Sequence, residues 1–95
     1  MTKQRQLHVI VKGYVQGVGF RFFVLQSAKS RNLKGWVRNR MDGSVEVKAQ
    51  GYASDLEILL SQLERGPEMA QIMEIQKKWN DELEDLPSFT VLTTS

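Results

Sequence analysis

Apolar and polar residues alternate from Leu7 to Lys12 (LHVIVK), which predicts a strand with Leu7, Val9 and Val11 on one face and His8, Ile10 and Lys12 on the other. Residues 22–32 (FFVLQSAKSRN) change to helical spacing, with Phe22, Val24, Leu25 and Ala28 on an apolar side and Asn32 as a C-cap. Arg31, three positions after Ala28, is expected to lay its aliphatic stem on the core edge and keep its head in water. Residues 35–50 read as a hairpin: Trp36 and Val37 open one strand, Asp42-Gly43 supplies the turn, and Val45, Val47 and Ala49 alternate with polar residues. Gly51 closes that strand. Ser54 to Glu57 form a capping box, Leu56, Leu59, Leu60 and Leu63 make one helical stripe, and Gly66-Pro67 ends it. Residues 70–79 predict a further strand with Met73, Ile75 and Trp79 on one face. After the acidic turn DELEDLP, FTVLTT predicts a short last strand.

The order is strand, helix, strand, strand, helix, strand, with a terminal strand added. Two right-handed crossover units interleave in such a chain. The predicted fold is therefore an α+β, ferredoxin-like two-layer sandwich, βαββαβ plus a short C-terminal strand. Its sheet is mostly antiparallel and both helices lie on one face. No linker or low-complexity segment interrupts residues 1–95, so a single domain is expected; the place of the last strand in the sheet does not follow from the pattern.

Composition narrows the chemistry more than the fold. At 95 residues, 41% hydrophobic and 25% charged, the chain is an ordinary globular sequence with a net charge of only +2. The basic residues concentrate in the first half, which favours a small anionic ligand there. No apolar run is long enough to span a membrane, and the start, MTKQRQLHVIVKG, reads as a strand and not a leader. A cytoplasmic location is the default. There is no cysteine and one histidine. Thiolate nucleophiles, cysteine or histidine metal sites and most histidine-paired triads therefore have no parts to build from. His8 sits at the far end of its strand from the glycine run discussed next and is expected to be a sheet-surface histidine. Glu82, Glu84 and Asp85 show no metal-ligand pattern and read as solvated charge.

GYVQGVGFR, residues 13–21, lies at the turn from the first strand to the first helix. Two readings stand: a flexible connector, or a cradle of backbone N–H groups for a phosphate-sized anion, strengthened by the helix N-terminus and the planar fork of Arg21. A P-loop is excluded because Phe20 follows Gly19, and the dinucleotide fingerprint because position 22 is phenylalanine. RNA-recognition domains share this order of elements, but their aromatic signature belongs in the third strand, and SVEVKAQ contains no aromatic residue. Asn39 ends the second strand. That strand runs parallel to the first, so Asn39 is expected at the same rim as the glycine loop, either holding a water there or bonding its own turn.

VQGVGFR at 15–21, GWVRN at 35–39 and DGSVEV at 42–47, with Gly51, Leu59 or Leu60, Leu63, Gly66 and Pro67 after them, resemble the acylphosphatase family over nearly the whole chain. The resemblance implies a small enzyme that hydrolyses the carboxyl–phosphate anhydride of acyl phosphates. It implies that Arg21 binds phosphate and that Asn39 positions the attacking water. Gln16, Gly17, Val18, Gly19 and Phe20 would supply backbone N–H groups to phosphate oxygens. Tyr14 stands where family members often carry a basic residue, and Arg31 where they are usually apolar. Neither position carries chemistry.

A carboxylate with a pKa near ~4 departs without a general acid, so positioning and fixed dipoles suffice and the missing base is no obstacle. No cofactor and no metal are expected. The expected partners are a small-molecule acyl phosphate, with inorganic phosphate or sulfate as site ligands, and neither nucleic acid nor membrane; the expected state is a monomer. Two alternatives remain: a non-catalytic ferredoxin-like binding module, and the acylphosphatase-like domain of hydrogenase-maturation proteins. The latter usually continue with proline after the arginine and then a long chain. Phe22 and an end at Ser95 lead to the expectation of a stand-alone enzyme.

Overall fold

Alternation and helical spacing become seven elements: β1 (Gln4–Tyr14), α1 (Phe20–Ser30), β2 (Lys34–Asn39), β3 (Val45–Tyr52), α2 (Ala53–Arg65), β4 (Gln71–Asn80) and β5 (Thr90–Val91). The computed structural model describes residues 3–95. Met1 and Thr2, at the head of the stretch read as a strand and not a leader, lie outside the described residues. The sheet order is β4-β1-β3-β2-β5. β3 lies between β1 and β2 and is antiparallel to both, so β1 and β2 run parallel and finish at one rim. The register makes this concrete, because Val45 faces Val11 on one side and Asn39 on the other. β5 is placed at the outer edge, parallel to β2, with Val91 opposite Val37.

The odd-numbered strand residues meet the helices. Leu7, Val9, Val11, Val37, Val45, Val47 and Ala49 are fully buried, and α1 and α2 cover them with Phe20, Val24, Ala28, Leu56, Leu59 and Leu63. Each such side chain contributes about 1.5–3 kcal/mol on leaving water, so this layer carries the stability of the fold. The end of α1 is a Schellman motif. Asn32 sits at φ 55, its N–H donates to the Lys29 carbonyl, and the Leu33 N–H reaches back to Ala28.

Four local expectations are corrected. α1 begins at Phe20, two residues early, so Phe20, Val24 and Ala28 form its buried stripe and Phe22, half a turn away, is 61% exposed. The capping box does not form. β3 runs directly into α2, Tyr52 is the N-cap in an extended conformation without a side-chain bond, and the Ala53 N–H is taken by the Lys3 carbonyl at 2.9 Å. In β4 the pairing with β1 slips between Lys12 and Gly13. That bulge turns Met73 out to solvent, and Ile72 joins Ile75 and Trp79 against the core. Arg31 does not leave its head in water but directs Nη1 toward Asp55 Oδ1 at 3.5 Å, pairing the two helices.

Candidate active site

Gly13 and Tyr14 belong to β1, so the loop proper is Val15 to Gly19. Gly17 and Gly19 hold left-handed backbone at φ 75 and φ 79, and a Cβ on either would meet nothing within 4 Å. Glycine is required here by the path of the backbone, and the space above it is open. Gly19 is the N-cap of α1 and offers no side-chain cap. The first helical bond runs from the Phe23 N–H to the Gly19 carbonyl at 3.0 Å. The N–H groups of Phe20, Arg21 and Phe22 thus come before the ladder and have no partner within it. No acidic residue occupies the first turn. The positive end of the helix dipole is left free for an outside anion.

Arg21 leaves the same turn. Arg5, Arg31, Arg38 and Arg40 each have a carboxylate partner; among the described residues Arg21 and Arg65 have none, and of these two only Arg21 lines the cavity described below. Asn39 approaches from the other side. As the last residue of β2, two after the buried Val37, it points to the helix side of the sheet. Its Oδ1 is buried and has no hydrogen-bond partner among the described residues; the other such atoms there are Arg31 Nε and Gln62 Oε1, and neither residue lines the cavity described next. A buried amide oxygen without a donor is costly to keep, which marks a place where a donor such as water is to be supplied.

These parts share a cavity of about 330 Å³. Its polar wall is Gly17, Gly19, Arg21 and Asn39, and its apolar wall is Val15, Phe20, Phe22, Leu25 and Val91. Of the residues expected from sequence, Gly17, Gly19, Phe20, Arg21 and Asn39 come together here, whereas Gln16 and Val18 do not line the cavity. Gln16 does something the sequence did not suggest. Its Nε2 donates to the Arg40 carbonyl at 2.7 Å and to the Ser44 carbonyl at 2.9 Å, clamping the glycine loop to the hairpin turn that follows Asn39. The hairpin is itself closed by the Arg40 N–H on the Ser44 carbonyl at 2.8 Å. Asp42 Oδ1 accepts from the Ser44 hydroxyl at 2.6 Å and N–H at 2.9 Å, and these bonds hold its carboxyl below the ordinary range. Phe22, Leu25 and Val91 were also missed as cavity residues, since apolar spacing marks a core position and cannot tell a rim from a core.

The remaining candidates lie elsewhere. His8 Nε2 is 2.6 Å from Glu46 Oε2 on the sheet face that carries no helix. Glu84 is bonded to Lys48 at 2.6 Å, which draws its carboxyl below the usual value. Among the described residues, no group of three or more His, Asp or Glu residues is arranged to hold a metal.

Comparison with known proteins follows the same line. The family model described as Acylphosphatase matches residues 7–91. A protein of Chlorobaculum tepidum named acylphosphatase is 44% identical over 93 residues, covering 98% of this chain and all of that protein. The crystal structure of acylphosphatase from Bacillus subtilis is similar with a TM-score of 0.89 at 38% identity, covering 93% of this chain and 98% of that one. Full-length HypF, solved in a phosphate- and nucleotide-bound form, is similar with a TM-score of 0.88 at 28% identity. It covers 99% of this chain, but the match takes in only 12% of the HypF chain.

Proposed function

The chain belongs to the acylphosphatase family, and from that membership we propose how its residues hydrolyse acyl phosphates to a carboxylate and inorganic phosphate. The free N–H groups at the start of α1 and the loop from Gln16 to Phe20 receive the phosphoryl oxygens, and the Arg21 guanidinium takes two of them in its planar fork. Asn39 Oδ1 accepts a hydrogen bond from the attacking water and fixes it near phosphorus. The water oxygen bonds to phosphorus as the phosphorus–oxygen bond to the acyl group breaks. The carboxylate leaves with that electron pair, and a proton of the water passes to a phosphate oxygen. No acid is needed for so good a leaving group, and no base is needed where the substrate takes the proton.

One observation carries this reading: the buried, partnerless Oδ1 of Asn39 shares a cavity with an uncapped helix N-terminus and an unpaired arginine. An amide oxygen that only closed its own turn would have a donor. The reading extends to a cytoplasmic monomer that binds inorganic phosphate or sulfate at the same place, checked by sedimentation and by inhibition with either anion. Among the described residues, no helix is long and apolar enough to cross a membrane. The deciding experiment is an ultraviolet assay of benzoyl phosphate hydrolysis by the purified protein with EDTA present. Steady turnover is expected; absence of hydrolysis overturns the assignment, and activity that disappears only on chelation overturns the metal-independent mechanism.

A further inference from the structure

Phe22 is the most exposed phenylalanine, at 61%, and nothing in the packing of α1 requires an aromatic ring there. Leu25, three positions on, is its neighbour on the helix surface, and both line the cavity that holds the phosphate loop. Val91, 38% exposed, lines the cavity from the other side. It lies on β5 in register with the buried Val37 and so points to the helix side of the sheet, toward α1. The two walls bound a groove whose one end is the anion cradle. Among the described residues, Arg21 is the sole charged one lining the cavity. A phosphate group fills only a fraction of about 330 Å³.

We infer that Phe22, Leu25 and Val91 form the acyl subsite and select substrates whose acyl group is apolar, aromatic ones foremost. The inference rests on the phosphate reading given above. With the phosphoryl oxygens on the α1 N-terminus, the acyl carbon is one bridging oxygen away, and the next surface it meets is this apolar wall. A benzoyl ring gains from burial against Phe22 and Val91 and from ring–ring contact with Phe22. An acyl group bearing a second carboxylate or an ammonium loses hydration there and finds no opposite charge among the lining side chains, except Arg21, which the phosphate already occupies.

The test measures kcat/KM for benzoyl phosphate and for acetyl phosphate in the parent protein, in Phe22→Ser and in Val91→Thr. Comparing the benzoyl-to-acetyl ratio between proteins cancels the intrinsic reactivity of the two anhydrides. Phe22→Ser is expected to lower that ratio about tenfold, and Val91→Thr, close in shape, about threefold. Competitive inhibition by inorganic phosphate in each variant reads the cradle separately. An unchanged ratio in both variants overturns the acyl subsite. So does an equal fall for both substrates accompanied by weaker phosphate inhibition, which would make Phe22 part of the cradle's support. Failure of the parent protein to hydrolyse either substrate overturns the activity reading instead.

Discussion

The two faces of the sheet treat polar groups in opposite ways. On the face without helices, the buried polar groups are matched. Glu46, only 7% exposed, accepts from His8 Nε2 at 2.6 Å and Arg38 Nε at 2.8 Å. Gln6 donates to Gln50 at 3.2 Å, and Gln50 in turn joins the Glu84 backbone through both ends of its amide. Arg38 also lies 4.8 Å over the Trp36 ring. At the rim on the helix side the rule is reversed, with a helix N-terminus uncapped, Arg21 unpaired and Asn39 Oδ1 orphaned. The first region spends its polar groups on stability. The second keeps them unsatisfied and therefore available, at a stability cost that the apolar layer beneath absorbs. The same kinds of side chain do different work because one set has found its partners within the chain and the other has not.

The contrast breaks most sharply at Arg21. Arg21→Ala is expected to lower kcat/KM for benzoyl phosphate by at least about 10²–10³-fold and to weaken phosphate inhibition. Thermal stability should hardly change, because no internal partner is lost. Near-normal turnover would remove Arg21 from the chemistry. Asn39→Ala comes next, with kcat reduced by about 10²-fold while phosphate still inhibits. Asn39 Oδ1 has no bond within the chain to lose, so the melting temperature is expected to hold or rise. A fall in stability with unchanged kcat would make Asn39 a structural asparagine after all.

How much of this was legible beforehand follows the same divide. Hydrophobic periodicity located the core strands and the Leu56–Leu63 stripe because burial imposes a period. Spacing of glycines before a helix singled out the loop proposed above to hold the anion, because left-handed backbone at Gly17 and Gly19 has few other candidates. Errors arose where tertiary context overrode a local signal. Ser54 and Glu57 satisfy the capping pattern, yet β3 enters α2 directly and the Lys3 carbonyl takes the first N–H. Met73 keeps the alternation on paper, but a bulge in the pairing with β1 exposes it. Phe22 looked like a core residue since an apolar position bears no mark of what it faces. The placement of β5 depends on pairing with β2 across more than fifty intervening residues, and two residues of pattern contain no such instruction.

Gln16 tests whether the two sides of the site are mechanically joined. Its amide is the side-chain link from the glycine loop to the Arg40 and Ser44 carbonyls, directly after Asn39. Gln16→Met keeps the volume but removes both donated bonds. The expected result is about a tenfold fall in kcat with phosphate inhibition little changed, since the loop still holds the anion but no longer fixes it against Asn39. A double-mutant cycle with Asn39→Ala separates positioning from general damage. If the clamp acts through Asn39, Gln16→Met costs little once Asn39 is gone; full additivity would refute the coupling.

The last expected effect lies on the other face and reads in stability alone, leaving activity untouched. Burial works to raise the Glu46 carboxyl, but the hydrogen bonds from His8 and Arg38 prevail and hold it below its ordinary value of 4.5. The folded protein therefore binds this proton less readily than the unfolded chain. Stability from the site is present above pH 4.5 and is lost as pH falls through the lowered folded value. Asp42, Asp81 and Glu84 are lowered too and act with the same sign, so the wild-type slope alone cannot isolate Glu46. Glu46→Gln removes the proton-binding difference while keeping an oxygen for Arg38. Urea unfolding at neutral pH and below pH 4 is expected to show a smaller acid loss in the variant than in the parent, within the about 1.5–3 kcal/mol that bonds to a charged group contribute. Parallel acid losses would mean that Glu46 is no better partnered in the folded chain than in the unfolded one, and the contrast between the two faces would then rest on the unsatisfied rim alone.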